Sequence, residues 1–212
     1  ADIVGFTSAR ITETNTEALI SNSDNLLEQI LYPRNLLLAC QRVIRNKGSH
    51  GVDGVTVESL VDYLEVHGSD LIARIFKGSY KPSPVKRVDI PKDNHSTRPL
   101  GIPTVVDRVI QQAIHQVLSP IYEQQFSDSS FGFRPKRSAH GALFRCKSYI
   151  SEGYKYAVDM DMAKFFDTVN HSKLIEVLSR TVKDGRVVSL IHKYLNAGVV
   201  IKERFEPTKE GV

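Results

Sequence analysis

Asp159-Met160-Asp161-Met162-Ala163-Lys164-Phe165-Phe166-Asp167-Thr168-Val169-Asn170-His171 is the stretch on which the reading of this 212-residue chain turns. Lys155 to Met162 has the pattern of a strand, and residues two apart on a strand point to the same face. Asp159 and Asp161 would then stand side by side and repel, unless a cation offsets them. Mg2+, with carboxylate and water ligands, is the natural cation for phosphoryl chemistry. Two exposed acids would read the same way. Phe165 is expected in the core. Phe166 lies five residues past Asp161, near enough to line the same pocket, where a rigid ring could exclude or stack on a sugar.

Two segments upstream carry complementary chemistry. Ser127-Asp128-Ser129-Ser130-Phe131-Gly132-Phe133-Arg134-Pro135-Lys136-Arg137-Ser138 interleaves aromatic rings with cations, as single-stranded nucleic-acid sites do. A loop anchored by two buried Phe rings is the plainer reading. Lys86-Arg87-Val88-Asp89-Ile90-Pro91-Lys92 and Arg98-Pro99-Leu100-Gly101-Ile102-Pro103 flank a turn and predict a basic β-hairpin. Its cations could grip a triphosphate or a template backbone. They would equally protect the edge of an ordinary exposed hairpin.

Charge supports this focus. Between Arg74 and Lys155 there are 14 Lys and Arg against 6 Asp and Glu, whereas the rest of the chain holds 14 against 18. The overall +4 therefore hides a basic middle, which either attracts a polyanion or forms a solvated face. A hydrophobic share of 41% suits a globular protein. No apolar run is long enough for a membrane span, and the start lacks a secretion signal. Cys40 and Cys146 form neither a metal spacing nor a disulfide framework, which fits a reducing compartment.

Elsewhere the periodicity predicts mostly helices. One runs from Asn25 to Arg45 with a break or restart at Pro33. A loop covers Asn46 to Gly54. Thr56 caps a helix to Val66, and a short one follows from Asp70 to Phe76. Further helices are expected over Asp107–Leu118, Ser138–Ser151 (stopped by Gly153), Ser172–Val182 and Arg186–Leu195, with a final strand over Val199–Phe205.

Taken together, the order and spacing of these segments resemble the group II intron reverse transcriptases, or intron-encoded maturases, of the bacterial type. The resemblance covers about residues 24 to 212. Asn46 to Gly54 looks like that family's extra N-terminal segment. Arg87 to Ile114, with Ile90-Pro-Lys and Arg98-Pro-Leu-Gly-Ile-Pro, looks like its first polymerase block, Phe131-Gly-Phe-Arg-Pro with Arg137-Ser-Ala-His its second, and Asp161-Met-Ala-Lys-Phe-Phe-Asp with Asn170-His171 its third.

The resemblance implies an α+β, helix-rich fold of right-hand polymerase type. Residues 1–23 would be a flexible leader, 24–150 the fingers and 151–212 a partial palm. It implies Asp161 as the first catalytic metal aspartate and the Met162 carbonyl as a second ligand. Asp159 would be only a neighbour. Lys86, Lys92 and Arg98 would hold the incoming triphosphate, with Arg87 an alternative to Lys86, and Phe166 would discourage ribonucleotides. Lys47, His50, Phe131, Phe133, Arg134, Lys136 and Arg137 would contact RNA. The implied partners are group II intron RNA, an RNA template with a DNA primer, deoxynucleoside triphosphates and Mg2+. The implied activity is RNA-directed DNA synthesis with assistance to splicing and intron mobility, in the bacterial cytoplasm. That family continues with Pro-Gln-Gly and then Tyr-Ala-Asp-Asp, whereas this sequence ends at Glu210-Gly211-Val212. The expectation is therefore a truncated chain that binds RNA, leaves its metal site empty, does not polymerise, and self-associates through exposed strand edges and apolar surface. Two rivals remain: a non-enzymatic RNA-binding splicing factor, and a metal-dependent Asp-X-Asp glycosyltransferase. The latter would need a nucleotide-binding α/β half ahead of the motif, where this chain is mostly helical and basic.

Overall fold

A computed structural model of the chain describes residues 25–91 and 97–211. The expected leader, residues 1–23, and Lys92 lie outside the described residues. Helices α1 (Leu26–Ile30) and α2 (Pro33–Asn46) meet at Pro33, where the sequence predicts a restart. Proline has no N–H to lose at a helix start and its φ is already set, so it opens α2. Lys47, at φ 56°, closes it.

Helix α3 (Leu60–Phe76) corrects the expectation of two helices. Thr56 and Ser59 cross-bond ahead of it, and the helix then runs through Gly68. Leu60, Leu64, Leu71 and Ile75 keep one buried stripe across the glycine, and continuous burial outweighs the roughly 1 kcal/mol that glycine costs a helix. Helix α4 (Val105–Glu123) is also longer than the expected Asp107–Leu118.

The expected hairpin is present. Strands β1 (Val85–Pro91) and β2 (Thr97–Ile102) pair antiparallel from Lys86↔Ile102 to Pro91↔Thr97. The expected final strand is instead a second, tighter hairpin, β3 (Val199–Ile201) and β4 (Arg204–Glu206). Lys202 and Glu203 turn it at φ 46° and 68°, the paired positive φ of a two-residue hairpin turn. Strand β3 joins β1 in parallel through Val85↔Val199 and Lys86↔Val200, giving a sheet ordered β2-β1-β3-β4. Between the sheet's chain segments come α5 (Ala139–Ser151), α6 (His171–Thr181) and α7 (Gly185–Leu195). The fold is mixed α+β with helices dominating.

The described residues divide into two compact units, residues 25–91 and 97–117 with 164–211, and residues 118–163. The first holds the core, with Leu27, Ile30, Leu36, Leu60, Ile110, Ala113, Val182 and Val187 among its buried side chains. Each large one stabilises the fold by about 1.5–3 kcal/mol. Polar groups staple this core. Asn35 Nδ2 donates to the Ile30 and Ala113 carbonyls at 2.8 and 3.1 Å, and Gln116 donates back to Asn35 Oδ1 at 2.7 Å. Asp184 caps α7 and also accepts from the Leu27 N–H at 3.0 Å, while Arg186 grips Glu28 at 2.7 and 2.8 Å.

Asp107 is the buried polar centre. It accepts from Tyr80 Oη at 2.6 Å, Thr104 Oγ1 at 2.7 Å and the Ser83 N–H at 3.1 Å, which fixes the chain entering β1. Burial, with Asp107 beside it, pushes the Tyr80 phenol far above its ordinary range. Burial likewise pushes the Cys40 thiol up to about 12, so Cys40 is a core side chain and not a nucleophile. Among the described residues no helix is long and apolar enough to cross a membrane.

Candidate nucleic-acid interface

The carboxylate segment departs from its predicted form. Residues 154–162 make no strand, and Asp159, Asp161 and Met162 are exposed. A strand is held by a ladder to a neighbour, and none of the four described strands pairs with this segment. The shared-face argument for Asp159 and Asp161 therefore does not hold here. Among the described residues no three His, Cys, Asp or Glu side chains gather as a metal would require. A divalent cation of the Mg2+ type takes about six oxygen ligands, so Asp161 and the Met162 carbonyl fall well short of a shell.

Downstream, Lys164 adopts a left-handed conformation at φ 51° and starts a single 3-10 turn, Phe165–Thr168. The Asp167 N–H and Thr168 Oγ1 both donate to the Lys164 carbonyl, at 3.0 and 3.1 Å. This turn holds two rings outward. Phe166 is 67% exposed and Phe165 48%, so the expectation that Phe165 packs in the core is corrected. Asn170 then caps α6 by accepting from the Lys173 N–H at 3.0 Å.

The hairpin sorts its cations by face. Directly paired residues of an antiparallel ladder share a face, and alternate residues reverse it. Lys86, Val88 and Ile90 therefore share one face with Ile102, Leu100 and Arg98. Arg87 lies on the other face and is tied to Asp89 at 3.3 Å. Lys86 and Arg98 bracket an apolar strip in which Val88, Ile90 and Leu100 are all exposed. Ile90, the pair of Arg98, lies four positions along β1 from Lys86, so the two cations sit about 13 Å apart along the ribbon.

The aromatic loop in the second unit is organised by Arg134. Its guanidinium donates to Glu123 at 2.7 and 3.0 Å and to the Ser127 and Ser130 carbonyls at 2.5 and 2.9 Å, and it lies over the Phe126 ring. The Glu123 hydrogen bonds raise the Arg134 pKa further. Arg134, expected on RNA, is thus a strut of its own loop, and its donors already point at protein. Arg137 is similarly turned to Asp128 at 2.9 and 3.2 Å and over Phe131. Phe131 in turn packs on Gly141, where a Cβ would lie 3.3 Å from the ring. Phe133 and Lys136 are different. Both are exposed, and both hold positive φ, 55° and 60°. Such backbone costs of order 1–3 kcal/mol for a bulky residue and persists where surroundings impose it. Ser138 caps α5 by accepting from the Gly141 N–H at 3.2 Å, as the sequence predicts.

In the first unit, the loop carrying Lys47 and His50 is pinned to the start of α4. Arg108 donates to the Lys47 and Ser49 carbonyls at 3.2 and 2.8 Å. A Cβ on Gly51 would come within 2.6 Å of the Thr104 backbone, so only glycine fits. Lys47 is left exposed, while His50 is half-buried with Nδ1 at 2.9 Å from the Gly51 carbonyl. Burial lowers the Arg108 pKa, offset in part by Asp53. Sequence reading missed Arg108 and Asp107, since a lone Asp-Arg pair on an amphipathic helix carries no signal of either role.

Residues 90–212 match the family model described as reverse transcriptase (RNA-dependent DNA polymerase). The chain is 36% identical over 193 residues to Protein YkfC of Escherichia coli (strain K12), covering 88% of this chain and 51% of that protein. It is 34% identical over 203 residues to the group II intron-encoded protein LtrA of Lactococcus lactis subsp. cremoris, covering 95% of this chain and 34% of that protein. It thus spans half of the first relative's length and a third of the second's. Among solved structures, a partial Cas6-RT-Cas1–Cas2 complex matches with a TM-score of 0.57 at 21% identity, covering 88% of this chain and 31% of that one. That likeness is one of fold.

Proposed function

Because this chain belongs to the reverse transcriptase (RNA-dependent DNA polymerase) family, we propose that the whole protein copies a group II intron RNA into DNA and assists the intron's splicing. The observation that carries this reading is the exposed Phe166 turn. Phe166 lies five residues past Asp161 in sequence, and its turn belongs to the unit whose hairpin sets Lys86 and Arg98 on one face.

In this reading Lys86, rather than Arg87, meets the triphosphate of an incoming deoxynucleotide, because Arg87 lies on the opposite face and is held by Asp89. Arg98 marks the far end of the same ribbon, and the strip of Val88, Ile90 and Leu100 between them offers an apolar surface to a base. Phe166 stands against the sugar. Lys47 and His50 meet RNA on the pinned N-terminal loop. Phe133 and Lys136 meet it on the aromatic loop, with Phe131 and Arg137 behind them. Asp161, with the Met162 carbonyl, is proposed as a ligand for Mg2+. The described residues do not complete a metal shell. Self-association is supported by Leu143, Phe144 and Ile150, which α5 leaves exposed.

Primer extension by the whole gene product on an intron RNA template tests the reading. Asp161→Ala is expected to reduce extension to background, and retained synthesis in that variant would refute the role. RNA binding without any synthesis by the unaltered protein would favour the non-enzymatic splicing factor. Binding of intron RNA should weaken steeply with salt, since phosphate contacts release counterions.

A further inference from the structure

Phe166 stands on a turn that the protein clasps from a segment forty residues away. The Gly211 N–H donates to the Val169 carbonyl at 2.9 Å, and Asn170 and Glu210 form an antiparallel bridge. His171 is 5% exposed, and its Nε2 lies 2.7 Å from the Gly211 carbonyl. A carbonyl only accepts, so Nε2 carries the proton. Gly211 itself, at φ 87°, sits against the turn. A Cβ there would lie 3.1 Å from the Asp167 carbonyl oxygen and 3.3 Å from that of Phe166. The segment is anchored in turn by Thr208, whose Oγ1 donates to the Leu195 carbonyl at 2.7 Å. It leads directly from β4, and β4 pairs with β3, which pairs with the strand carrying Lys86.

We propose that His171 and Gly211 are positioning residues that lock the backbone beneath Phe166 and so set how strictly its ring rejects a ribose 2′-hydroxyl. This rests on the reading of Phe166 as the residue facing the nucleotide sugar. Tight backbone approach fixes a ring's origin more firmly than side-chain packing can when the ring is mostly in solvent. Without the clasp, the turn keeps the local bonds that the Asp167 N–H and Thr168 Oγ1 donate to the Lys164 and Phe165 carbonyls. The same segment ties the turn to the hairpin strand, so the triphosphate-facing and sugar-facing parts of the proposed site share one frame.

The test is the ratio of kcat/KM for a deoxynucleotide to that for the matching ribonucleotide, measured on the whole gene product. Gly211→Ala adds a methyl that displaces the turn by a few tenths of an ångström at a strained φ. Misplacement by about 1 Å costs on the order of 100-fold in rate; a shift of this smaller size, acting on the sterically excluded ribonucleotide and the deoxynucleotide unequally, is expected to lower the ratio by about 3- to 10-fold. His171→Ala should do the same. His171→Gln, which returns an N–H near the Nε2 position, should restore most of the ratio. Phe166→Ala separates the two layers. If it lowers the ratio while Gly211→Ala and His171→Ala slow both nucleotides equally, the clasp is merely structural and the proposal is overturned. If Phe166→Ala leaves the ratio unchanged, the reading of Phe166 itself fails, and the proposal with it. Should Gly211→Ala and His171→Ala not fold, Thr208→Val, which loosens the anchor without adding bulk, decides by the same ratio: a fall supports the clasp and an unchanged ratio overturns it.

Discussion

Residues 25–117 with 164–211 and residues 118–163 hold their shapes by different means. In the first region helices dock through apolar stripes, and Ile30, Leu36 and Ile110 are wholly buried. In the second, α5 buries no residue at all, and Leu143, Phe144 and Ile150 stand in solvent. Order there comes from a guanidinium threaded among carbonyls and a carboxylate, and from a capping serine. The difference teaches what each motif is mounted on. Asp161 and the aromatic-basic loop lie in the region with little core, while the β1–β2 hairpin and the Phe166 turn, proposed to meet the nucleotide, belong to the region that has one.

The comparison can be broken at four points. Ile110→Ala should destabilise the chain most, by about 2–5 kcal/mol, because it opens a cavity in a well-packed core. Chemical denaturation measures it, and a loss below about 1 kcal/mol would mean the first region is loosely packed. Tyr80→Phe comes next. It removes the Tyr80 hydrogen bond to the buried Asp107 carboxylate, at about 1–3 kcal/mol, and the same denaturation curve reports it. Acid should act third. Folding lowers the Glu28 carboxyl, chiefly through the Arg186 hydrogen bond. Burial pushes Asp184 up, but Arg186 and the Leu27 N–H outweigh it and leave it lowered. The unfolded chain therefore takes up protons more readily. The stability these groups contribute is full above their ordinary values of 4.5 and 3.8, and it is lost as pH falls through the lowered ones. Arg186→Gln should flatten that acid limb, and an unchanged limb would remove the pair from the account. Phe144→Ala should matter least, within about 0.5 kcal/mol. A larger cost would show that α5 is covered in solution, by a second copy or another partner.

Where the sequence was legible, a single residue's own chemistry decided the outcome. Pro33 can only open a helix, Ser138 and Asn170 supply capping oxygens, and the alternation from Val85 to Pro91 has one solution beside a returning strand. Where it was not, a backbone conformation or a partner that residue type does not encode decided the outcome. Lys155 to Met162 has strand composition and no described ladder to join. Lys202 and Glu203 break the expected final strand through positive φ at residues that carry no glycine signal. Arg134 is turned inward because the Ser127 and Ser130 carbonyls and Glu123 take its donors, and Phe165 stands outward on its 3-10 turn.

The amino-acid sequence by itself determined the polymerase-type motifs, their order and the basic middle of the chain, since these follow from residue type and local spacing. Tertiary structure alone decided which cations share a face, which are held by protein, and that Gly211 lies beneath the Phe166 turn. Those outcomes depend on ladder register and on backbone approach across forty residues, and no local propensity encodes a distance between segments so far apart.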